Sequence, residues 1–486
     1  MHEEAYRTYR QSLLFLLFSA WDTLFPDKLL TVHQSVNRST YCQCRDFCPS
    51  EKDLAALTAA IETAICEKIP FSPLTYTKQE AISLLRESGE EEAASQLTSV
   101  PRTSVTLLKL GRKYYSVYGQ LFPHAGYLSD FELVSFDAGF LLRYPHPTTG
   151  DKLSPFAPGK KILETLSEYR NLSRIIGVES VYDLNKQILS GDIQDCTNIS
   201  EIMHEKRLSQ IADTIKSRTP ECRVLLLSWP SSSGKTTTTN RLMLHLRANG
   251  LFPKMISLDD YYLGRTKAPL DEDGKPNYED IEAIDYALFN THLRALLEGE
   301  TVLSPRFDFH TGERAPGGRA LSLSRDAVLL VEGIHALNPL LTRGIQESLC
   351  FRVYCSALTV LCFDRYNPIS PTDTRLLRRM IRDSKFRNTD AVGTLSMWPS
   401  VQKGEIKNIF PYEETADVIF NSALPYEFSV YRAHCEPLLK KAAESEEHRE
   451  TALRLLEFIS HFEPISAASV PGMSVLREFI GGSTIS

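Results

Sequence analysis

Trp229-Pro230-Ser231-Ser232-Ser233-Gly234-Lys235-Thr236 holds the residue types that grip phosphate. Small residues let successive backbone N–H groups converge on phosphate oxygens, and a helix that starts at the loop turns its positive end toward the same anion. In the pattern G-x-x-x-x-G-K-[ST] the lysine reaches the outer phosphates of a nucleoside triphosphate and the last hydroxyl holds magnesium. Those roles fall to Lys235 and Thr236, with Ser231, Ser232, Ser233, Gly234 and Thr237 as further nucleotide contacts. Trp229 stands where the pattern has its first glycine, so a loop weakened or blocked by the indole is the competing reading, beside a plain Ser/Gly turn.

Carboxylates and arginines complete the set. Asp259 and Asp260, followed by Tyr261 and Tyr262, end an apolar stretch; a carboxylate there can take a proton from an attacking hydroxyl or hold magnesium. The tyrosines offer flat faces and donors to a ring-bearing substrate. Glu332 ends the apolar run Val328-Leu329-Leu330-Val331 in one acid, the placement expected of a magnesium ligand beside a phosphate loop. Arg375, Arg378, Arg379 and Arg382 recur at i, i+3, i+4 and i+7, which predicts one helix face of guanidinium groups able to neutralise a transferring phosphoryl group, with Arg387 just beyond. Asn277-Tyr278-Glu279 and Phe307-Asp308-Phe309-His310 form a polar, aromatic excursion suited to a sugar or base. His204-Glu205 lacks the second histidine of a metalloprotease helix, since Leu208 occupies its place.

The elements that must carry these residues alternate in type. A strand at 223–228 precedes the loop, a helix over 237–248 ends at Asn249-Gly250, and further strands fall at 254–258, 327–331 and 351–355 before a helix from Pro371. Such alternation predicts a mostly parallel sheet with its ligands at the carboxyl ends of the strands. Residues 53–68 and 78–86 read as helices, and 114–118, 131–134 and 139–144 as strands, so the first part of the chain is an α+β module. Residues 201–218 form a polar connecting helix.

A chain of 486 residues exceeds what one core usually supports. The formal charge of −7 gives no footprint for bulk nucleic acid binding. Residues 13–21 are apolar but fall short of the about 20 needed to span a bilayer, and Glu3 and Glu4 spoil a secretory signal, so a buried helix is expected and no membrane partner. The ten cysteines are scattered through the chain, which suits free thiols in a reducing cytoplasm. Cys42, Cys44 and Cys48 lack zinc-site spacing and read as structural thiols.

Together these residues resemble the uridine kinase and phosphoribulokinase branch of the P-loop kinases, through 230–238, Ser257 to Tyr262, 279–285, 305–309, Val331-Glu332-Gly333-Ile334 and 374–383. A bacterial subgroup of nucleoside kinases is similar also at 394–399, 409–412, 421–424 and 476–482. The resemblance implies an α/β P-loop kinase with a mostly parallel sheet, preceded by an α+β domain. It implies ATP-dependent phosphorylation of a uridine- or cytidine-like nucleoside at its 5′-hydroxyl, with Mg2+. Asp259 would be the base, Thr236, Asp259 and Glu332 the magnesium contacts, Arg382 catalytic with Lys235, and Arg378 and Arg387 on the nucleotide. Tyr262, Glu279, Phe307 and His310 would hold the substrate. Gly312 stands about where uridine kinases carry a base-contacting histidine, with His310 as the neighbouring substitute. A kinase for another small alcohol or phosphosugar, or a catalytically weak nucleotide- or RNA-binding protein, are the alternatives.

The N-terminal region resembles the second N-terminal domain of threonyl-tRNA synthetase through 51–65, Glu80-Ala81 and 126–133. That family's editing-centre ligands fall at Gln11, Phe15, Val117 and Leu121, none a good ligand for a borderline metal, so hydrolytic editing is not expected. The expected order is therefore a synthetase-like module at 1–198, a connecting helix at 199–219, a nucleoside kinase domain at 220–442 and a helical tail at 443–486. Packing or dimerisation is favoured over RNA contact for the first module, which leaves a homo-oligomer open.

Overall fold

The computed structural model describes residues 3–36, 38–100, 103–146, 152–153, 159–270, 274, 277–308 and 311–485. They divide into two units. The first comprises Met1–Cys196, Thr359–Ser370 and Glu450–Ile465; the second comprises Thr197–Leu358, Pro371–Arg449 and Ser466–Ser486.

In the second unit, the run Val224-Leu225-Leu226-Leu227-Ser228 forms a strand buried along its whole length, as continuous apolar runs do when a strand is covered on both faces. It is the middle strand of a five-stranded sheet ordered Val418–Asn421, Cys350–Ser356, Val224–Ser228, Ala327–Glu332 and Phe252–Ser257. Every pairing in it is parallel. Glu332 pairs in register with Leu227 on one side and Ser257 on the other, so the carboxyl ends of three strands share one edge. The strand expected at 254–258 is Phe252–Ser257, and Leu258–Tyr261 is a short 3-10 turn that lifts Asp259 out of the sheet. The Val418–Asn421 strand is too short to show a period in the sequence.

Gly234 starts the helix Lys235–Ala248 from the left-handed region at φ 87°, where a side chain would be strained. Four threonines fill the first turns of this helix. Threonine is a mediocre helix former, so burial of Leu242 and Leu246 against the sheet must supply its stability. The connecting helix is longer than the sequence suggests, running Ile193–Arg218.

The first unit holds a four-stranded antiparallel sheet ordered Leu30–Val36, Ser39–Cys44, Gly139–Arg143 and Glu132–Phe136, and a three-stranded one from Leu74–Thr77, Ser104–Leu110 and Lys113–Ser116. The apolar stretch 13–21 lies in the helix Glu3–Leu24 and is mostly buried, with Leu13, Leu17 and Trp21 fully so. Among the described residues no helix is long and apolar enough to cross a membrane. Phe15 and Val117, at two of the positions that resemble editing ligands, sit in the hydrophobic core, and Leu121 packs against it. Cys42 and Cys44 are buried in their strand and Cys48 is exposed.

Candidate active site

Strand edge, loop and helix start converge on Lys235. Its ammonium bonds Glu332 and lies 3.4 Å from Asp259 Oδ2. Burial would lower the Lys235 pKa, but the two carboxylates outweigh it and the net shift is upward, which keeps the side chain charged. Glu332 is 6% exposed; burial pushes its pKa up, Lys235 pulls it down, and the net direction is upward. Gly333 follows because a Cβ there would lie 2.7 Å from Leu258 Cβ.

Thr236 is exposed at the first turn of the loop helix. Its hydroxyl and the carboxylates of Asp259 and Glu332 are oxygen donors, the chemistry that suits a hard divalent cation such as Mg2+. Ser232 takes φ 61°, and the Ser232 and Ser233 hydroxyls are buried without partners among the described residues. Trp229 does not stand in the loop's mouth as a free ring. It is 2% exposed and belongs to the core with Leu208, Ile211, Leu225 and Leu227, and Lys235 Nζ lies 5.8 Å from its ring centroid.

Aromatic rings gather beside Asp259. Tyr262 meets Tyr278 and Phe307 edge-on at centroid distances of 5.5 and 5.6 Å, and its hydroxyl donates to the Tyr278 carbonyl. Asp260 accepts the Phe307 N–H at 3.2 Å, fixing the strand that carries this ring. Tyr261, expected to offer a face to substrate, turns into the core instead, against Phe289 and His292. A strand-end 3-10 turn sends consecutive side chains in different directions, so both tyrosines could not share the cleft. Glu279 has its pKa raised to about 7 by burial and then by Glu405 and Asp259, with Arg379 opposing. His310 lies outside the described residues.

The arginine helix spans Pro371–Phe386. Its four arginines do not act as one phosphate-facing row. Arg378, expected on the nucleotide, is fully buried in an ion pair with Glu427 at 2.8 Å and donates to Ser422. A guanidinium inside the protein needs such a partner, so its donors are committed there. Arg375 is buried on Glu405 and donates to the Ser231 carbonyl, while Arg379 donates to Ser231 Oγ at 2.8 Å. Arg382 bonds Asp383 at 2.8 Å, and the half-exposed Arg387 lies 3.7 Å from the same carboxylate.

Residues 226–426 match the phosphoribulokinase/uridine kinase family. The chain carries a domain of that family. The uridine kinase of Deinococcus deserti is 27% identical over 190 residues, 39% of this chain and 82% of the relative. That of Staphylococcus haemolyticus is 27% identical over 191 residues, again 39% of this chain and 82% of the relative. Among solved structures, a possible uridine kinase from Bacillus stearothermophilus is similar, at 21% identity, a TM-score of 0.30, and coverage of 44% of this chain and 98% of its own. The five-stranded parallel sheet and the family match over residues 226–426 give the fold of an α/β P-loop kinase, preceded by an α+β unit.

Three carboxylates of the second unit make contacts that sequence reasoning did not foresee. Glu405, on the helix Ala391–Asn408, accepts the Ser231 N–H at 2.8 Å and pairs with Arg375. Glu478 accepts the Thr237 N–H at 3.0 Å. Asp383 gathers Arg379, Arg382 and Arg387. No local pattern marks the first two, because 174 and 241 residues separate them from the amides they cap.

Proposed function

We propose that this chain transfers the γ-phosphoryl group of ATP to the 5′-hydroxyl of a nucleoside, uridine- or cytidine-like in class, with Mg2+. The observation that carries the reading is the Lys235 ammonium held between Asp259 and Glu332 at the mouth of the phosphate loop. Asp259 is the base: its carboxylate takes the proton from the acceptor hydroxyl as that oxygen attacks phosphorus. Lys235 neutralises the outer phosphates, and the loop amides with the buried Ser232 and Ser233 hydroxyls supply donors to the phosphate oxygens. Arg379, Arg382 and Arg387 lie on the same helix or just past it and supply the remaining positive charge, while Arg378 is structural. Thr236, Glu332 and Asp259 would hold Mg2+, which would supply charge neutralisation to the transferring phosphoryl group.

Tyr262, Tyr278 and Phe307 favour a nucleoside over a phosphosugar, since clustered aromatic rings suit a planar base. Glu279, whose carboxyl feels Asp259 electrostatically, would accept from sugar hydroxyls. For the first unit, the apolar surroundings of Phe15 and Val117 support the reading that it lacks hydrolytic editing.

Asp259→Asn should lower kcat at least a hundredfold while Mg-ATP binding by calorimetry stays within about threefold. Retention of more than a few per cent of turnover would remove Asp259 from the role. Phosphoryl transfer across a panel of nucleosides and sugars names the acceptor.

A further inference from the structure

The closing segment of the second unit, Ser466–Ser486, is fastened across the phosphate loop. Val475, Leu476 and Phe479 are buried. Arg378 stacks over the Phe479 ring at 5.2 Å, and Lys385 donates to the Ile480 carbonyl at 2.9 Å. Gly234 sits so close beneath this strap that a Cβ there would lie 2.2 Å from Val475 Cγ2. From the strap, Glu478 reaches the backbone N–H of Thr237 at 3.0 Å. Thr237 is the third residue of the loop helix, so its N–H has no partner within the helix. Such N–H groups, at the positive end of a helix behind a G-K-T loop, are phosphate donors. The same carboxylate acts electrostatically on Arg387, the cation just beyond the arginine helix. A negative charge of the chain's own thus occupies the helix-end amide.

We propose that Glu478 is a built-in competitor for a nucleotide phosphate, and that Mg-ATP binds by displacing this carboxylate and loosening the strap. The proposal rests on the ATP-binding reading of this domain. Two anions cannot accept the same N–H, so the loop is competent only in the fraction of molecules whose strap has let go, and the apparent affinity falls by that fraction.

Calorimetry with Mg-ATP on the full-length wild type, Glu478→Gln and Glu478→Ala, each with a thermal melt, tests it. Both variants should bind Mg-ATP about three- to tenfold more tightly than wild type, the range expected when one charge-assisted hydrogen bond no longer has to be broken. Hydrogen exchange on the wild type provides a measurement that needs no variant. Residues 475–481 should lose protection when Mg-ATP saturates the protein. Wild-type binding with unchanged or weaker affinity in both folded variants, or protection of 475–481 that stays constant or rises with Mg-ATP, overturns the competitor role alone. Absence of nucleotide binding by all three proteins overturns the ATP reading and the proposal together.

Discussion

At the scale of single residues, the cleft concentrates acids whose charges must be managed. Glu279 is the clearest case, because burial and Glu405 raise it to about 7 from an ordinary value of 4.5. A carboxyl that holds its proton more tightly when folded stabilises the fold fully below its unfolded pKa, and that contribution is lost as pH rises through the folded value. Above pH 7 the wild type carries a crowded negative charge; below about 4.5 Glu279 is neutral both folded and unfolded. Glu279→Gln, neutral throughout, should therefore be more stable than wild type by roughly 1–3 kcal/mol at pH 8 and indistinguishable from it near pH 4. Melting both proteins at the two pH values decides it, and a gap independent of pH would refute the assignment. If Glu279 also accepts from the sugar, the same variant raises the acceptor KM.

The phosphate loop is an element pinned from beneath and from above. Beneath it, Trp229 joins the core shared by the sheet and the helix Ile193–Arg218. Above it, Ser231 is held through its N–H by Glu405, through its carbonyl by Arg375 and through its hydroxyl by Arg379. The tryptophan that departs from the phosphate-loop pattern thus reads as an anchor of the strand–loop junction. Trp229→Gly should cost about 3–5 kcal/mol or more in urea unfolding of the second unit, as large-to-small core changes do, and should leave Mg-ATP affinity no better than wild type. A stable variant with tighter ATP binding would mean that the indole obstructs the loop after all.

For the whole molecule, chain order and packing order differ. Thr359–Ser370 and Glu450–Ile465 interrupt the sequence of the second unit yet belong to the first. Tyr366 meets Phe18 edge-on at 4.1 Å, Phe363 stacks on Tyr118 at 5.0 Å, and the buried Arg365 pairs with Glu90. A chain of residues 197–486 would keep those two segments and their contacts with each other, such as Phe363 with Phe458 at 5.6 Å, but lose Phe18, Tyr118 and Glu90, leaving Arg365 without its carboxylate beside exposed rings. Such a truncation should aggregate on size-exclusion chromatography under conditions where the full chain is monodisperse. A monodisperse fragment with wild-type melting would show that the two inserted segments need no partner.

How much of this was legible depended on range. Gly234, Lys235 and Thr236 lie next to one another, and Asp259 and Glu332 each end an apolar run, so local spacing alone indicated a Gly-Lys-Thr loop between strand and helix, two strand-end carboxylates and a parallel sheet. Tyr262 and Phe307 were suggested by the resemblance, but a single turn decided that Tyr261 would pack on Phe289 and His292 and Tyr262 on Tyr278 and Phe307. Periodicity placed four arginines on one helix face without saying what lay opposite, and Glu427 and Ser422 took Arg378 for the interior. Glu405 and Glu478 left no trace in the pattern around them, because a carboxylate becomes an amide cap only when folding brings distant segments together. Sequence by itself determined the chemistry that short spacing can encode. Tertiary structure alone decided which charges are spent on one another, since a buried charge must find its partner wherever the fold puts one.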